Sequence, residues 1–138
     1  MRAVRIAFGT DEATPLTEAI TRALCERGHD VVVAAHGDAW PDVGRTVGEL
    51  VVRGEVDRGV VCCWTGTGVS IAANKVPGVR AALCTDAETA RGARRWNDAN
   101  VLAISLRLTS ADVASEMLDA FLSTEVDPAE RSEIAKLN

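Results

Sequence analysis

Two adjacent cysteines followed by a glycine-rich turn mark the part of this sequence best suited to chemistry. Residues 60–75 read VVCCWTGTGVSIAANK, so Cys62 and Cys63 end an apolar run and the turn Gly66–Gly68 leads into a helix-like stretch. Backbone N–H groups of a glycine turn can approach an anion closely, and a helix N-terminus adds a partial positive charge. The same field favours the thiolate form of a nearby thiol. A thiolate beside an oxyanion pocket can take a proton from a carbon next to a carbonyl.

The two cysteines cannot share a role, because adjacent strand residues point to opposite faces of a sheet. For either one, the alternative is a small buried apolar residue without chemistry. The position directly before the glycine turn favours function for Cys63, whereas Cys25, Cys62 and Cys84 are expected to lie in the core. The four cysteines lack the paired spacing of a zinc site, and we expect them to be reduced thiols.

The Gly-x-Gly turn alone is weak evidence for a bound nucleotide. Ile71 occupies the position of the third glycine of a dinucleotide fingerprint, and the sequence contains no Gly-Lys-Ser or Gly-Lys-Thr of a phosphate loop. Nucleotide binding is therefore not predicted.

Short β-branched runs alternate with helical patterns along the chain, which is typical of βα units on a parallel sheet. A doubly wound α/β fold of this kind binds ligands at the carboxyl ends of its strands. We predict one such domain over residues 1–138. Its strands are expected near Val4–Phe8, Asp30–Ala34, Gly59–Cys63, Val79–Leu83 and Val101–Ile104, and its helices near 14–28, 42–53, 68–75, 86–96, 110–123 and from Asp127 onward.

Composition limits the classes of function. The chain has 138 residues, of which 47% are hydrophobic and 25% charged, enough for one domain with a proper core. A net charge of −5 argues against nucleic-acid or membrane partners recognised by overall charge. The N-terminal apolar run is too short for a signal peptide, and no run approaches the roughly 20 residues of a bilayer span. We expect a cytoplasmic protein.

The segment CWTGTGVSIAANKVPGVRAALCTDAETARGARRWNDANVLAIS, which begins at Cys63, resembles the ribose-5-phosphate isomerase type B family. That family includes the galactose-6-phosphate isomerase subunits, and the resemblance extends from about Arg5 to Leu137. It implies a Rossmann-like three-layer subunit with a five-stranded parallel sheet, in a homodimer or tetramer whose sites form where two subunits meet. It also implies no metal or organic cofactor, and the interconversion of aldose and ketose phosphates through an enediolate, as in pentose phosphate metabolism.

The resemblance also implies a role for each matching residue. Cys63 matches the base that moves a proton between C1 and C2, and Thr65 matches a threonine that assists at the sugar oxygens. The remaining matches are expected to bind substrate, and Arg107 among them is assigned to the phosphate. They are Asp11, Asp42, Gly66, Thr67, Gly68, Ser70, Asn97 and Arg107.

Three positions near the motif depart from the family. Glu12 and Trp96 each replace a histidine of the family. The histidine at the Trp96 position is the one assigned to opening the sugar ring. Trp64 replaces a glycine and should narrow the pocket. Of this chain's own histidines, His29 is expected to be structural, and His36 is a candidate to replace a lost one. Glu12 and Trp96 are kept as substrate-binding candidates.

The terminal segment departs as well, since Ser132 and Glu133 stand where the family often has arginines that bind phosphate. Arg107 and Arg131 are then the nearest candidates for the phosphate.

Two hypotheses follow. The first is an aldose–ketose isomerase of altered substrate range, acting on a short or open-chain sugar phosphate. The second is a non-catalytic sugar-phosphate-binding homologue, or one half of a hetero-oligomeric isomerase. Retention of the segment from Cys63 to Lys75 favours the first, and loss of both histidines favours the second.

Overall fold

The computed structural model describes residues 2–137, which form a parallel sheet between two layers of helices. Within these residues, no helix combines the length and the apolar character needed to cross a bilayer. The predicted α/β architecture with five parallel strands is confirmed. The strands are β1 (Arg5–Thr10), β2 (Asp30–His36), β3 (Arg58–Cys63), β4 (Ala81–Leu83) and β5 (Val101–Ser105). The helices are α1 (Pro15–Glu26), α2 (Trp40–Val52), α3 (Thr67–Asn74), α4 (Ala87–Asn97), α5 (Ala111–Ser123) and α6 (Arg131–Ile134), with 3₁₀ turns at Pro128–Glu130 and Ala135–Leu137.

The strand order is β2-β1-β3-β5-β4. The chain leaves β1 in one direction to form β2 and then returns to the other side of β1 to form β3. This reversal opens a crevice at the carboxyl ends of β1 and β3, where ligands bind in doubly wound folds. Asp11 follows β1 directly, and its N–H donates to the carbonyl of Cys62 at 3.3 Å. The carboxyl ends of these two strands are thereby joined.

Helix α1 begins and ends as its sequence predicts. The hydroxyl of Thr14 accepts from the N–H of Thr17 at 3.2 Å, and Gly28 adopts a φ of +82° just beyond the helix. The expectation that Cys25 is buried is wrong, because this thiol is exposed. Successive helix positions are rotated by about 100°, so the residue after the buried Leu24 faces away from the sheet.

Two apolar cores cover the two faces of the sheet. Helices α1, α4 and α5 pack on one face, which includes Cys62, and helices α2 and α3 pack on the other, which includes Cys63. The expected opposite orientation of the two cysteines is confirmed. Helices α2 and α3 approach so closely that a Cβ on Gly44 would lie 2.6 Å from the Cβ of Ala72. This contact holds the beginning of α2 against α3.

Several predicted bounds differ from the observed ones. Strands β1 and β2 each end two residues later than predicted, and α2 begins two residues earlier. Strand β4 begins at Ala81 rather than Val79, because the N–H of Arg80 donates to the side-chain oxygen of Asn100 at 2.7 Å instead of to a neighbouring strand. The terminal helix is a single α-helical turn between two 3₁₀ turns. Asp127 caps it by accepting from the N–H of Ala129 at 2.9 Å.

A buried arginine fixes the end of α4. Arg94 is 2% exposed and donates to the carbonyl of Ala99 at 2.7 Å, the carboxylate of Asp98 at 2.8 Å and the carbonyl of Thr124 at 3.1 Å. Buried charges need such partners, since an unpaired one costs several kcal/mol. The network positions the last turn of α4, which carries Trp96 and Asn97.

Candidate active site

Cys63 is the last residue of β3 and lies at the base of a cleft. It is 5% exposed, and its carbonyl accepts from the N–H of Leu106 at 3.0 Å, just beyond β5. Cys62 lies on the opposite face, where burial raises its thiol pKa far above the ordinary value. Burial also raises the pKa of Cys84, to about 11. Among the three buried cysteines, only Cys63 lines the cleft.

The turn after Cys63 presents free N–H groups to the same cleft. Gly66 precedes α3 with a φ of +77°, and its carbonyl accepts the first helical hydrogen bond from Ser70 at 3.3 Å. The N–H groups of residues 67–69 precede that bond and have no acceptor within the helix. The hydroxyls of Thr65 and Thr67 share a hydrogen bond of 2.7 Å beside them. Donors and hydroxyls therefore surround the space next to the thiol.

The cleft is small and partly aromatic. Its volume is about 320 Å³, at the lower end of the roughly 300–1,000 Å³ found for ligand pockets. The lining residues come from the carboxyl ends of β1 and β3 and from the starts of α2 and α3. They are Asp11, Trp40, Cys63, Trp64, Thr65, Thr67 and Gly68.

Asp11 lines the cleft and has one carboxylate oxygen without a hydrogen-bond partner among the described residues. That oxygen, Oδ1, is buried. Burial, and next the negative charge of Glu12, raise the pKa of the Asp11 carboxyl above its ordinary value. A buried polar atom without a partner is rare in a folded protein, and here it belongs to a residue that lines the cleft.

Trp96 and Asn97 lie elsewhere on the chain. They line a second cavity of about 630 Å³ together with residues of β4 and α4. The Trp96 ring packs over Gly92, where an added Cβ would lie 2.8 Å from a ring atom. Within one chain, the two predicted substrate-binding residues on α4 therefore do not line the Cys63 cleft.

Six other predicted substrate-binding residues are absent from the lining of the cleft, and one of them is Gly66, which is buried in the turn between Thr65 and Thr67. Glu12 and Arg131 are exposed, Asp42 pairs with Arg45 in the first turn of α2, and Ser70 lies half-buried in α3. Arg107 remains close, since its N–H donates to the carbonyl of Trp64 at 2.9 Å and its side chain is exposed.

Neither histidine lines the cleft. His29 is buried, and its Nδ1 accepts from the N–H of Val4 at 3.1 Å, which agrees with the structural role expected for it. Burial lowers its pKa. His36 ends β2 opposite Thr10 and is exposed.

The residue that sequence reasoning missed is Trp40. It begins α2, and its ring covers Gly68, where an added Cβ would lie 2.8 Å from Cε3. The available signal was a tryptophan in the segment after β2, at the carboxyl edge of the predicted sheet. The sequence could not show which residue it covers.

The described part of the chain contains no group of three or more His, Cys, Asp and Glu side chains placed to hold a metal ion. Ile71, at the position of a third fingerprint glycine, is exposed on α3. The features that remain for a ligand are a thiol, two hydroxyls, a carboxyl and the N–H groups of a helix start.

Residues 6–137 match the family model described as Ribose/Galactose Isomerase. The chain belongs to the ribose/galactose isomerase family. Among relatives in this family, the chain is 38% identical to the galactose-6-phosphate isomerase subunit LacB of Clostridium acetobutylicum, covering 95% of this chain and 79% of the relative. It is 36% identical to the D-erythrulose-4-phosphate isomerase of Pectobacterium atrosepticum, covering 88% of this chain and 84% of the relative.

The fold agrees with solved structures of the ribose/galactose isomerase family. Ribose 5-phosphate isomerase of Thermotoga maritima superposes with a TM-score of 0.91 at 36% identity, covering 99% of this chain and 98% of that one. At this identity the likeness extends beyond the fold to the family.

Asp11→Asn is expected to raise the free energy of unfolding at neutral pH. The native carboxyl binds its proton more tightly than the unfolded chain, whose pKa is near the ordinary value of 3.8. Stability therefore falls as the pH rises through that value towards the raised native pKa. Urea unfolding of both proteins at neutral pH and at a pH of about 3.5 measures the difference, which should shrink at the lower pH.

The control is Asp38→Asn, an exposed carboxylate that accepts from the N–H of His36 at 2.9 Å. An asparagine can accept the same bond, so this variant should match the unaltered chain. A gain for Asp11→Asn that is equal at both pH values, or no gain, would contradict the account of Asp11.

Proposed function

We propose that the chain interconverts an aldose phosphate and its ketose phosphate, with Cys63 as the base. The observation that carries this proposal is the thiol at the base of a cleft, beside the free N–H groups at the start of α3. The names of its relatives, isomerases of galactose 6-phosphate, ribose 5-phosphate and erythrulose 4-phosphate, support the reaction class.

The site offers a group for each step of such a reaction. The Cys63 thiolate takes the proton from C2 of the aldose, the C–H electron pair forms the C1=C2 bond, and the carbonyl pair moves onto O1. The thiol then returns the proton to C1, and O2 becomes the carbonyl. N–H groups of residues 67–69 stabilise the enediolate charge. The hydroxyls of Thr65 and Thr67 pass a proton between O2 and O1.

The remaining contacts are assigned to the sugar and its phosphate. Asp11 and Glu12 accept hydrogen bonds from sugar hydroxyls. Arg107, held beside Trp64 by its backbone, binds the phosphate as a planar fork, and Arg131 is the second candidate. Because the base must stay a reduced thiol, we also propose the cytoplasm as the place of action.

Cys63→Ala should abolish isomerisation, whereas Cys62→Ala should keep most of it, because only Cys63 lines the cleft. Loss of the base should lower kcat by about 100-fold or more. Isomerisation, and deuterium incorporation at C1 of the ketose in heavy water, measure the two variants. Deuterium incorporation by Cys63→Ala at the rate of the unaltered chain would refute the assigned base.

We further propose that the site is shared between subunits of a homodimer or tetramer. In one chain, Trp96 and Asn97 line a cavity separate from the Cys63 cleft, so each would complete the cleft of a neighbouring copy. The phosphate candidate Arg131 also lies outside the cleft of its own chain. The position of these three candidates outside the cleft of their own chain supports this arrangement.

Mixed dimers test the sharing. Cys63→Ala and Asn97→Ala are co-expressed with different tags, and doubly tagged dimers are purified. In a shared arrangement, one of two sites then has both residues intact, so activity should return to about half of the unaltered dimer. Doubly tagged dimers as inactive as either parent would show that each site is formed within one chain.

The second candidate function is one half of a hetero-oligomeric isomerase. The relative named as a galactose-6-phosphate isomerase subunit, together with the incomplete cleft of a single chain, favours it. A purified chain that binds a sugar phosphate, but incorporates no deuterium at C1 of any candidate ketose, would select this function over the first.

The substrate that fits the cleft best is a short or open-chain sugar phosphate. Opening a closed sugar ring gains from a general acid, worth roughly 10²–10⁴ in rate, and no histidine lines this cleft. A tetrose phosphorylated at O4 has no free hydroxyl positioned to close a five- or six-membered ring. The small cleft volume and the relative named for erythrulose 4-phosphate support the same choice.

We expect kcat/KM to be higher for the erythrose/erythrulose 4-phosphate pair than for the ribose/ribulose 5-phosphate pair. Both pairs are assayed side by side with one enzyme preparation. If the pentose is converted as well as the tetrose, or better, the argument from the replaced histidine fails. His36 would then be the first residue to examine for ring opening.

A further inference from the structure

Trp40 stands at the boundary between two cavities. The Cys63 cleft, of about 320 Å³, contains Trp40 in its wall. So does a groove of about 440 Å³ between α2 and α3, which is also lined by Ile71, Lys75 and Arg45. Following α3 from its start, Thr67 and Gly68 belong to the cleft, and residues one and two turns later belong to the groove. Trp40 is the one residue that lines both.

The indole is held in place by its neighbours. It packs on Gly68 so closely that an added Cβ would lie 2.8 Å from Cε3 and 2.9 Å from Cδ2. Pro41 follows it in the first turn of α2, which fixes the backbone there. The ring is nevertheless 46% exposed, so it is not required to fill a core. A large rigid side chain in this position blocks a path that the backbone leaves open.

The groove beyond Trp40 could receive a longer ligand. Lys75 is exposed and makes no ion pair among the described residues, and Arg45 pairs with Asp42 at the surface. An extended sugar phosphate that passed Trp40 would bring its phosphate towards two cations. The cleft as it stands ends at the indole.

We propose that Trp40 determines substrate length by closing the Cys63 cleft against sugar phosphates longer than four carbons. This inference rests on the proposed function, because it assumes that the cleft binds a sugar phosphate. It concerns a residue different from the base and from the groups that bind the enediolate.

The test measures binding as well as turnover. The probes are 3-phosphoglycerate, 4-phosphoerythronate and 5-phosphoribonate, in which the carboxylate carbon stands in for C1 and C2 together and its two oxygens stand in for those of the enediolate. They therefore match the tetrose, the pentose and the hexose phosphate. Dissociation constants are measured by calorimetry for the unaltered chain, Trp40→Ala and Trp40→Phe. We expect Trp40→Ala to shift the preference from the probe that matches the tetrose towards the probe that matches the hexose by about tenfold or more, as a pocket that gains room for added carbons should. Trp40→Phe should shift it less, since one ring remains over Gly68.

Ile71→Ala is the matched control. It removes an exposed apolar side chain from the groove and leaves the wall of the cleft intact, so the preference should not change. Thermal unfolding shows which variants are folded. The preference for substrate length is measured a second time as kcat/KM on the matching aldose phosphates. Equal preferences in the unaltered chain and both Trp40 variants, or the same shift in Ile71→Ala, would overturn the proposal.

The outcomes also separate this inference from the proposed function. An unaltered chain that binds the probes but isomerises no sugar phosphate refutes the proposed function, while the binding preferences still decide the role of Trp40. A chain that isomerises the tetrose, with preferences unaffected by either Trp40 variant, refutes the role of Trp40 alone. Binding of none of the three probes refutes both.

Discussion

The contact of one glycine with the ends of two strands determines the shape of the site. Gly66 turns the chain from β3 into α3 with a φ of +77°. A Cβ there would lie 2.6 Å from Cδ1 of Leu83 and 3.0 Å from the backbone between Ile104 and Ser105. Only glycine tolerates both the dihedral angle and this proximity. Any other residue would push the start of α3 away from the sheet, and with it Thr67 and Gly68, which line the same cleft as Cys63.

The packing of α2 on α3 provides the opposite wall. Gly44 allows the two helices to approach, and the first residue of α2 then covers Gly68. The cleft is therefore bounded by backbone on one side and by the Trp40 indole on the other. Because the interior is closely packed, the volume of the cleft depends on these close approaches of the backbone and on the Trp40 and Trp64 side chains that line it.

The sequence predicts best what is decided locally. The apolar runs place all five strands, and the Thr14 cap and Gly28 place the ends of the first helix, because these signals depend on neighbouring residues. The alternation of side chains along β3 correctly separates Cys62 from Cys63. The burial of Cys25 was predicted wrongly, because residue type alone indicated a core position that the helix rotation excludes.

Contacts between distant residues are the part that sequence could not supply. An arginine in the last turn of a helix is usually a surface residue, so the local sequence does not indicate that Arg94 is buried. Its burial depends on the carbonyls of Ala99 and Thr124, which lie in two other segments. Trp40 covers Gly68 only because α2 and α3 pack together. Trp96 and Asn97 were expected to bind substrate, but within one chain they line a cavity separate from the Cys63 cleft, and this separation depends on how α4 packs rather than on any local pattern.

The opposed thiols of β3 have a consequence for oxidation. A disulfide needs Cβ atoms about 3.5–4.5 Å apart with suitable directions, whereas Cys62 and Cys63 point into different layers of the molecule. A sulfenic acid formed on Cys63 by peroxide therefore cannot be resolved by its neighbour, whose high pKa also keeps it a poor nucleophile. The adjacent cysteines of the sequence therefore do not form a redox pair. The exposed Cys25 is the thiol most open to oxidants at the surface, and it lies on a helix that packs on the face of the sheet opposite Cys63.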